Sequence, residues 1–395
     1  MLEQNFSHIH KEAPFFGEGV GVYIHIPFCK QACHYCDFHF STKMDKKEAM
    51  VSALKKELQL RKDEFKNETV ETIYFGGGTP SVLSSEEINS IIQSVYKNYK
   101  IVENPEITLE ANPDDLSEEK IKQLASSPIN RLSIGVQSFF EEDLKLMNRP
   151  HNALEAEKCI REALKYFDNI SIDLIYGMPN MSKERWQQNI EKAIAFNIPH
   201  ISSYALTVEP KTALASFVKK GSVVPATDAM AQEHFNILND TLTKAGFRCY
   251  EISNFGKPGY FSKNNTAYWL QKKYIGIGPS AHSFNGVQRA WNTSNNIKYI
   301  AAIENDKLPM EFEVLSKKDK YNEYIMTGLR TIWGVSIPKV KDQFGDKYSE
   351  YLLEQAQKYI DEHLLFLDGD SLITTQKGKF LADGIASNLF MLNSI

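Results

Sequence analysis

Short apolar runs and longer amphipathic stretches alternate along most of the chain. The apolar runs predict β-strands, and the stretches that follow them, with apolar residues three to four positions apart, predict helices. The predicted strands are residues 20–26, 72–75, 106–110, 131–136, 170–176 and 200–208. The predicted helices are residues 46–65, 85–99, 118–125, 152–167, 183–196 and 228–245. Strands that alternate with helices in this way are typical of parallel βα units.

The six predicted βα units favour an incomplete (β/α)6 TIM-like barrel, an α/β fold, over an open doubly wound sheet. Polar residues and glycines cluster just after the predicted strands, and barrel proteins place their chemistry at that end. Two further apolar runs, residues 249–254 and 274–277, predict strands that close or flank the barrel.

A polar and charged stretch, residues 305–318, predicts a domain boundary. After it the pattern predicts helices at 321–333, 340–344, 348–363 and 377–390 and a hairpin at 364–375. We therefore divide the chain into a lead-in (1–18), a barrel with flanking strands (19–305) and a small helical, winged-helix-like C-terminal module (306–395). From Ser316 onward, 10 Lys and Arg face 11 Asp and Glu, so DNA binding is not expected, and packing over the barrel mouth is.

Composition narrows the class of protein. The chain has 395 residues, 42% of them hydrophobic and 24% charged, which is typical of a globular protein. A formal charge of −5 argues against nucleic acid as a partner, and five cysteines, three of them clustered, fit a reducing compartment. No apolar run has the length of a signal-peptide core or a membrane span, so we expect a cytoplasmic protein with at most peripheral membrane contact.

Cys29, Cys33 and Cys36 form a C-x3-C-x2-C pattern directly after the first predicted strand. A loop that leaves a strand can curl so that three thiolates converge, whereas a strand would point neighbours to opposite faces. Three thiolates can hold three corners of a cubane iron–sulfur cluster and leave the fourth iron open. With His34 or His39 as a fourth ligand, they can instead hold a structural zinc ion. The spacing alone leaves both sites open.

The residues around the thiols carry a family resemblance. Tyr35 precedes the last cysteine, and Tyr-Ile-His-Ile-Pro-Phe-Cys, residues 23–29, precedes the loop. This pattern resembles the HemN-like branch of the radical S-adenosylmethionine (SAM) superfamily. The resemblance implies that the three cysteines bind a [4Fe-4S] cluster and that the amino and carboxylate groups of SAM chelate its unique iron. It favours the cluster over zinc.

A glycine-rich turn, residues 76–80, follows the second predicted strand. Without Cβ atoms a ligand can approach the backbone, and free N–H groups can meet an anion. The turn resembles the glycine motif of the family, which implies that Gly77, Gly78 and Thr79 contact the methionyl part of SAM. By the same resemblance Tyr23 lies beside the methionyl group.

Polar side chains at the ends of later strands form a second group. Asp173 interrupts an apolar strand, where a charged group needs a partner or a ligand. The resemblance implies that Glu110 and Asp173 bind ribose or amino groups and that Gln137 binds the ribose. It also assigns the carboxylate of SAM to Arg149, whose planar fork suits it, and an adenine contact to the backbone of Ala205.

The branch contains an enzyme and a carrier. The enzyme, oxygen-independent coproporphyrinogen III dehydrogenase, has a further cysteine just after the cluster motif, where this chain has Phe38. Cys-Asp-Phe, the short stretch before Tyr23, and the segments 263–269 and 276–283 resemble the HemW family of heme chaperones. This resemblance implies heme binding and transfer to an unknown heme-accepting protein, with no catalytic residue assigned. The dehydrogenase and a radical enzyme acting on another substrate are the alternatives.

The chain departs from that family at one position. The histidine expected before Asn265 is Asn264 here, so a heme iron ligand must come from elsewhere. His282 is the first candidate, followed by Cys249 and His39. Packing roles are predicted for His25, Tyr268 and Trp269.

Overall fold

Six parallel strands form the centre of the structure, a computed structural model that describes Gly17 and residues 19–392. They are β1 (Val20–Ile26), β2 (Thr69–Gly77), β3 (Lys100–Ala111), β4 (Arg131–Gln137), β5 (Ile170–Tyr176) and β6 (His200–Ala205). Each strand pairs in parallel with the next, in chain order. The predicted incomplete barrel is thereby confirmed. Apart from Gly17, the predicted lead-in lies outside the described residues.

Helices connect these strands and cover the outer face of the sheet. They are α1 (Lys47–Leu60), α2 (Ser85–Asn98), α3 (Glu118–Ala125), α4 (Glu141–Leu146), α5 (Ala153–Ala163) and α6 (Lys183–Ala195). Capping boxes at Ser84 and Asn152 satisfy free N–H groups and fix the starts of α2 and α5. Helix α1 ends five residues before the predicted end, because Phe65 is buried from a turn rather than from the helix.

The next part of the chain extends the sheet at both ends. It contains α7 (Ala213–Lys219), α8 (Asp228–Lys244), β7 (Arg248–Glu251), β8 (Asn254–Gly256), α9 (Lys263–Trp269), β9 (Tyr274–Ile277), β10 (His282–Phe284), β11 (Gln288–Asn292), α10 (Asn296–Glu304) and β12 (Met310–Val314). The sheet order is β12-β11-β10-β9-β1-β2-β3-β4-β5-β6-β8-β7. The single strand predicted at 249–254 is wrong: it is the hairpin β7–β8, whose turn residue Ser253 accepts a hydrogen bond from Ser203.

Helix α9 closes the amino-terminal end of the barrel. The backbone N–H groups of Lys263 and Asn264 donate to the Glu106 carboxylate at 3.0 Å each. The Thr72 hydroxyl donates to Asn264 Oδ1 at 2.9 Å. These bonds hold α9 against β2 and β3.

The C-terminal module has its own core and sheet. Its elements are α11 (Lys317–Leu329), β13 (Val335–Ser336), α12 (Ile337–Phe344), α13 (Asp346–Asp361), β14 (Leu365–Asp368), β15 (Ser371–Thr374), α14 (Gln376–Lys379) and α15 (Ala382–Asn388). The predicted helix 377–390 is two helices separated by a turn at Phe380 and Leu381. Because β12 pairs with β11 and the second core begins at Tyr321, we propose a boundary at Leu315 rather than at residue 305.

The module bridges the two ends of the open sheet. Near one end, Thr331 forms a β-bridge with Glu251 of β7, and near the other, Glu323 of α11 lies 2.7 Å from Arg289 of β11. None of its described residues lines the larger cavity of the barrel, but Glu323 and Thr327 of α11 line a second cavity beside it, so the expected packing over the barrel mouth stays a prediction. Within Gly17 and residues 19–392, no helix combines the length and apolar character needed to cross a membrane.

A buried ion pair ties α1 to the strands beside it. Arg61 Nη1 donates to Glu57 Oε1 at 3.1 Å and to the Gly276 carbonyl at 2.8 Å. Glu57 also accepts from the Gly278 N–H and from Asn292 Nδ2, both at 2.8 Å. A single carboxylate therefore fixes the segment that runs from β9 to β11.

We expect Glu57→Ala to lower the free energy of unfolding by about 3–5 kcal/mol, because it leaves buried Arg61 and three further donors, on Gly278, Asn292 and Tyr299, without their shared acceptor. Urea unfolding of the cofactor-free protein measures this. Glu64, a partly exposed second partner of Arg61, gives the control: Glu64→Ala should cost less than about 1 kcal/mol. Equal losses in both variants would show that the buried network is not the main contributor.

Candidate functional site

The cysteine loop leaves β1 and is closed on itself. Ser41 donates its N–H to the Pro27 carbonyl at 2.9 Å and accepts from the Cys29 N–H at 3.1 Å. Cys29 is buried, whereas Cys33 and Cys36 are partly exposed. The two ends of the loop are therefore pinned, and the thiols lie on the curved segment between them.

Two side chains donate hydrogen bonds to the sulfur atoms. The Thr79 hydroxyl lies 3.2 Å from Cys29 Sγ, and Arg149 Nη1 lies 3.3 Å from Cys33 Sγ. Burial raises the pKa of the Cys29 and Cys36 thiols, so ionised sulfurs there need compensating charge. Donors aimed at sulfur and an adjacent guanidinium fit thiolates that hold an iron–sulfur cluster.

The zinc alternative needs a fourth ligand, and both candidates are engaged. His34 Nδ1 lies 2.9 Å from the Leu146 carbonyl, and His39 Nε2 lies 2.7 Å from Asn296 Oδ1. Each bond holds one nitrogen of its ring and leaves the other open, as is common for metal-binding histidines. The hydrogen bonds of these two histidines therefore do not decide between zinc and a cluster, and the choice rests on family membership.

The glycine turn is bonded to the cysteine loop. The Gly78 N–H donates to the Ile26 carbonyl at 2.9 Å, and the Thr79 N–H donates to the Phe28 carbonyl at 2.7 Å. The prediction that these N–H groups are free for an anion is therefore wrong. Contact of the turn with the methionyl part of SAM remains a prediction. Gly77 adopts φ +110°, a conformation that favours glycine.

A cavity of about 600 Å³ opens at the carboxyl ends of the strands. All nine residues predicted to contact SAM line it: Tyr23, Gly77, Gly78, Thr79, Glu110, Gln137, Arg149, Asp173 and Ala205. Cys36 lines it as well. The structure thus brings the predicted residues of six strands and the cysteine loop to one place.

Two carboxyl groups in this cavity share an unusual environment. Burial raises the pKa of Glu110 to about 7, and the charge of Asp173 adds to the shift. The Tyr74 hydroxyl donates to Glu110 Oε1 at 2.7 Å. Burial also raises the pKa of Asp173 to about 6, although Arg131 and Arg149 oppose the shift. The floor of the cavity therefore holds groups that change charge near neutral pH.

We expect Glu110→Gln to make the cofactor-free protein more stable at pH 8 by about 1–3 kcal/mol and to leave it unchanged at pH 4. The folded state binds this proton more tightly than the unfolded state, so wild-type stability falls as the pH rises from about 4.5 to about 7. Urea unfolding across this range measures the difference. Glu103→Gln, at an exposed position of the same strand, should leave the profile unchanged. An identical profile for Glu110→Gln would contradict the assignment.

Gln137 and Arg149 are held by their neighbours. Gln137 ends β4 with φ +68°, a strained conformation for a residue other than glycine, and its Oε1 lies 3.4 Å from the Tyr204 hydroxyl. Arg149 Nη2 donates to Asn112 Oδ1 at 2.6 Å and to the Gly135 carbonyl at 2.8 Å. The guanidinium is therefore fixed in the cavity wall, and its pairing with the SAM carboxylate remains a prediction.

Sequence reasoning missed several residues of the cavity. Asn112 connects two of the predicted residues. Its Oδ1 accepts a hydrogen bond from Arg149, and its Nδ2 donates one to the Thr79 hydroxyl at 3.4 Å. Arg131 is buried with its Nε unpartnered among the described residues, and it faces the two carboxyl groups. Both positions carried a signal: Asn112 lies two residues after a predicted strand, and Arg131 is a charged residue that begins a buried one.

A second cavity of about 510 Å³ adjoins the first. The residues that line both are Tyr23, Phe38, Gly77, Glu110 and Tyr268. Tyr268 packs edge to face against Tyr274 and also lines both cavities, so its predicted packing role stays a prediction. Trp269 is partly buried, and the Arg330 guanidinium lies over its ring, with the Arg330 Cζ atom 5.5 Å from the centre of the Trp269 ring.

The candidate heme ligands lie in different surroundings. His25 has both ring nitrogens engaged, with the Tyr23 hydroxyl at 3.2 Å and the His39 carbonyl at 2.9 Å, which supports its predicted packing role. His39 and His282 line the second cavity. Cys249 lines neither cavity, and its thiol donates to the Glu251 carbonyl at 3.2 Å. Cys249 is therefore not placed to reach a ligand in either.

Comparison with known proteins agrees with this geometry. The radical SAM superfamily matches residues 23–193, and the HemN C-terminal domain matches residues 315–381. Membership of the radical SAM superfamily implies a [4Fe-4S] cluster and SAM as cofactors. The three thiols with their hydrogen-bond donors and the adjoining cavity fit both groups.

Proteins that are similar over nearly the whole chain identify its family. The Heme chaperone HemW of Lactococcus lactis is 35% identical over 376 residues, 94% of this chain and 97% of that protein. The HemW of Mycobacterium tuberculosis is 31% identical over 383 residues, 95% and 96% of the two chains. The solved coproporphyrinogen III oxidase (HemN) of Escherichia coli shares the fold, with a TM-score of 0.81 at 21% identity, over 94% and 90% of the chains. On the strength of this identity over nearly its whole length, the chain belongs to the HemW family.

Proposed function

We propose that this chain is a heme chaperone, which binds heme and passes it to a heme-accepting protein on a scaffold that holds a [4Fe-4S] cluster and SAM. The observation that carries the proposal is the match to proteins named Heme chaperone HemW, at 31–35% identity over at least 94% of the chain. The coproporphyrinogen oxidase shares the fold at only 21% identity.

Phe38 supports the carrier over the dehydrogenase. It occupies the position at which the resemblance places a further cysteine in the enzyme, and a phenyl ring can neither ligate metal nor donate a proton. Its side chain is 69% exposed, and it lines both cavities. An exposed aromatic ring between two cavities suits contact with a flat apolar ligand better than redox chemistry.

We further propose that Cys29, Cys33 and Cys36 hold the cluster and that the nine predicted residues of the larger cavity bind SAM. When bound, these cofactors supply one-electron reductive cleavage of SAM. Thr79 and Arg149 donate hydrogen bonds to two of the sulfurs and so stabilise their ionised form.

A cytoplasmic location follows from the same proposal. All five cysteines are free thiols, which supports a reducing compartment. The acceptor is a protein that takes up heme, and contact with a membrane is at most peripheral.

Transfer of heme tests the proposal. Protein loaded with one equivalent of hemin is mixed with apomyoglobin, and the appearance of the myoglobin spectrum is followed against free hemin as the reference. We expect the chain to take up hemin stoichiometrically and to release it to the acceptor. Failure to bind hemin, or binding without release, would contradict a chaperone.

A further inference from the structure

The second cavity lies between the β9–β11 part of the sheet and helix α11. Side chains of a strand alternate between its faces, so His282 and Phe284 share one face of β10 while Ser283 is buried on the other. Tyr274 of β9 and Arg289 of β11 pair with Phe284 in the sheet. One wall of the cavity is therefore a row of aromatic, imidazole and cationic groups.

The remaining walls extend the aromatic surface. Tyr268 contacts Tyr274 edge to face, with 4.6 Å between the ring centres, and Phe38 lies at the border with the first cavity. Flat aromatic walls are suited to a large planar ligand, which they contact over both faces without unsatisfied polar groups.

Among the described histidines that line this cavity, His282 has a ring without a hydrogen-bond partner, and its centre lies 6.1 Å from that of the Trp291 ring. Among Gly17 and residues 19–392, neither of its ring nitrogens has a hydrogen-bond partner, and the side chain is exposed. His25 has both ring nitrogens engaged by protein atoms, and His39 has its Nε2 bound to Asn296 Oδ1. An unengaged imidazole at the edge of a cavity can supply a nitrogen to a metal ion without breaking an existing bond.

Two cations complete the wall. Arg289 and Lys272 both line the cavity, and Arg289 is paired through Nη2 with Glu323 at 2.7 Å, which leaves other N–H groups of its fork for a ligand. Lys272 Nζ donates to the Gly17 carbonyl at 3.1 Å. Positive groups beside an aromatic surface match a planar molecule that carries carboxylates at its edge.

We propose that heme binds in this second cavity, with His282 as an axial ligand of its iron and with Arg289 and Lys272 facing its propionates. The inference rests on the proposed function and names the site for it. Asn264 is not placed to act as the heme ligand, because it lies in the first cavity and its amide oxygen accepts a hydrogen bond from Thr72. The two cavities share a wall, so heme and SAM bind side by side.

Hemin titration of the anaerobically reconstituted protein tests the ligand. Difference spectra in the Soret region and electron paramagnetic resonance of the ferric heme report the axial ligand directly. We expect His282→Ala to lose the imidazole-ligated spectrum and to weaken hemin binding by about tenfold or more, and added imidazole to restore the spectrum. His39→Ala should keep the wild-type spectrum.

Matched variants separate this site from general damage. His363→Asn changes an exposed histidine of the C-terminal module that lines neither cavity, and it should bind hemin as the wild type does. Arg289→Gln should weaken the binding of hemin but not of its dimethyl ester, which lacks the propionate charges.

The outcomes distinguish the site from the function. A wild-type spectrum and affinity in His282→Ala, or the loss of the ligand in His39→Ala instead, would overturn His282 as the axial ligand and leave heme carriage standing. Absence of hemin uptake by the wild type would overturn both.

Discussion

Serine in place of any one of Cys29, Cys33 and Cys36 is expected to abolish the iron–sulfur cluster. Each thiolate holds one corner, and a serine hydroxyl is not ionised near neutral pH and binds iron weakly. Iron and sulfide should fall from about four of each per chain to near zero after anaerobic reconstitution, with loss of the broad visible absorbance. Chemical assay of both elements measures this.

Cys159 and Cys249 give matched controls. Both are buried and free, and neither lines the cavities, so Cys159→Ala and Cys249→Ala should keep the full iron and sulfide content. A single serine variant that retained wild-type iron and sulfide would show that the ligand set is wrong. Loss of the cluster in an alanine control would show that folding, rather than ligation, limits reconstitution.

The substitution Gly78→Ala is expected to have the second largest effect. A Cβ atom at Gly78 would lie 2.7 Å from the Phe28 carbonyl oxygen and 2.9 Å from that of Ile26. Both are backbone atoms at the start of the cysteine loop, so the loop must shift. Because Gly78 also lines the larger cavity, we expect SAM to bind at least about tenfold more weakly and the cluster content to fall by about half or more.

Gly384 offers the comparison. It is exposed in α15, and a Cβ atom there would meet nothing within 4 Å. Gly384→Ala should stabilise the protein by up to about 1 kcal/mol and leave cluster and SAM binding unchanged. Equilibrium dialysis with labelled SAM measures both variants. Wild-type affinity in Gly78→Ala would contradict the direct contact between the two loops.

The barrel was predictable because the spacing of apolar residues within each short segment is enough to identify its strand or helix. The runs that became β5 and α6 are bounded by turn residues, and their apolar spacing matches one element each. The hairpin β7–β8 was not predictable from the sequence. Its turn depends on a hydrogen bond between Ser253 and Ser203, which lie fifty residues apart in the chain. Likewise, nothing local in residues 377–390 separates one helix from two.

The larger cavity was predictable for a different reason. Its residues follow successive parallel strands, whose carboxyl ends meet at one edge, and the family resemblance assigned them. The state of each polar group was not predictable, because it depends on partners distant in the chain. The N–H groups of Gly78 and Thr79 looked free in the sequence, but β1 and the loop after it already accept them.

The second cavity lay beyond sequence reasoning. It forms where β10 and β11 meet α11, and Tyr274, His282 and Glu323 become neighbours only through the position of the C-terminal module. The sequence offered His282 as one histidine among several candidates. What distinguishes it is the set of hydrogen bonds that engage the other rings.

The most direct test of the chaperone offers hemin and coproporphyrinogen III in parallel to the anaerobically reconstituted protein with SAM and dithionite. Heme absorbance and porphyrin products are followed together. We predict a stable, stoichiometric heme spectrum and no protoporphyrinogen. Turnover of coproporphyrinogen III would contradict the proposed chaperone function. It would identify a dehydrogenase that works with phenylalanine, rather than cysteine, at position 38.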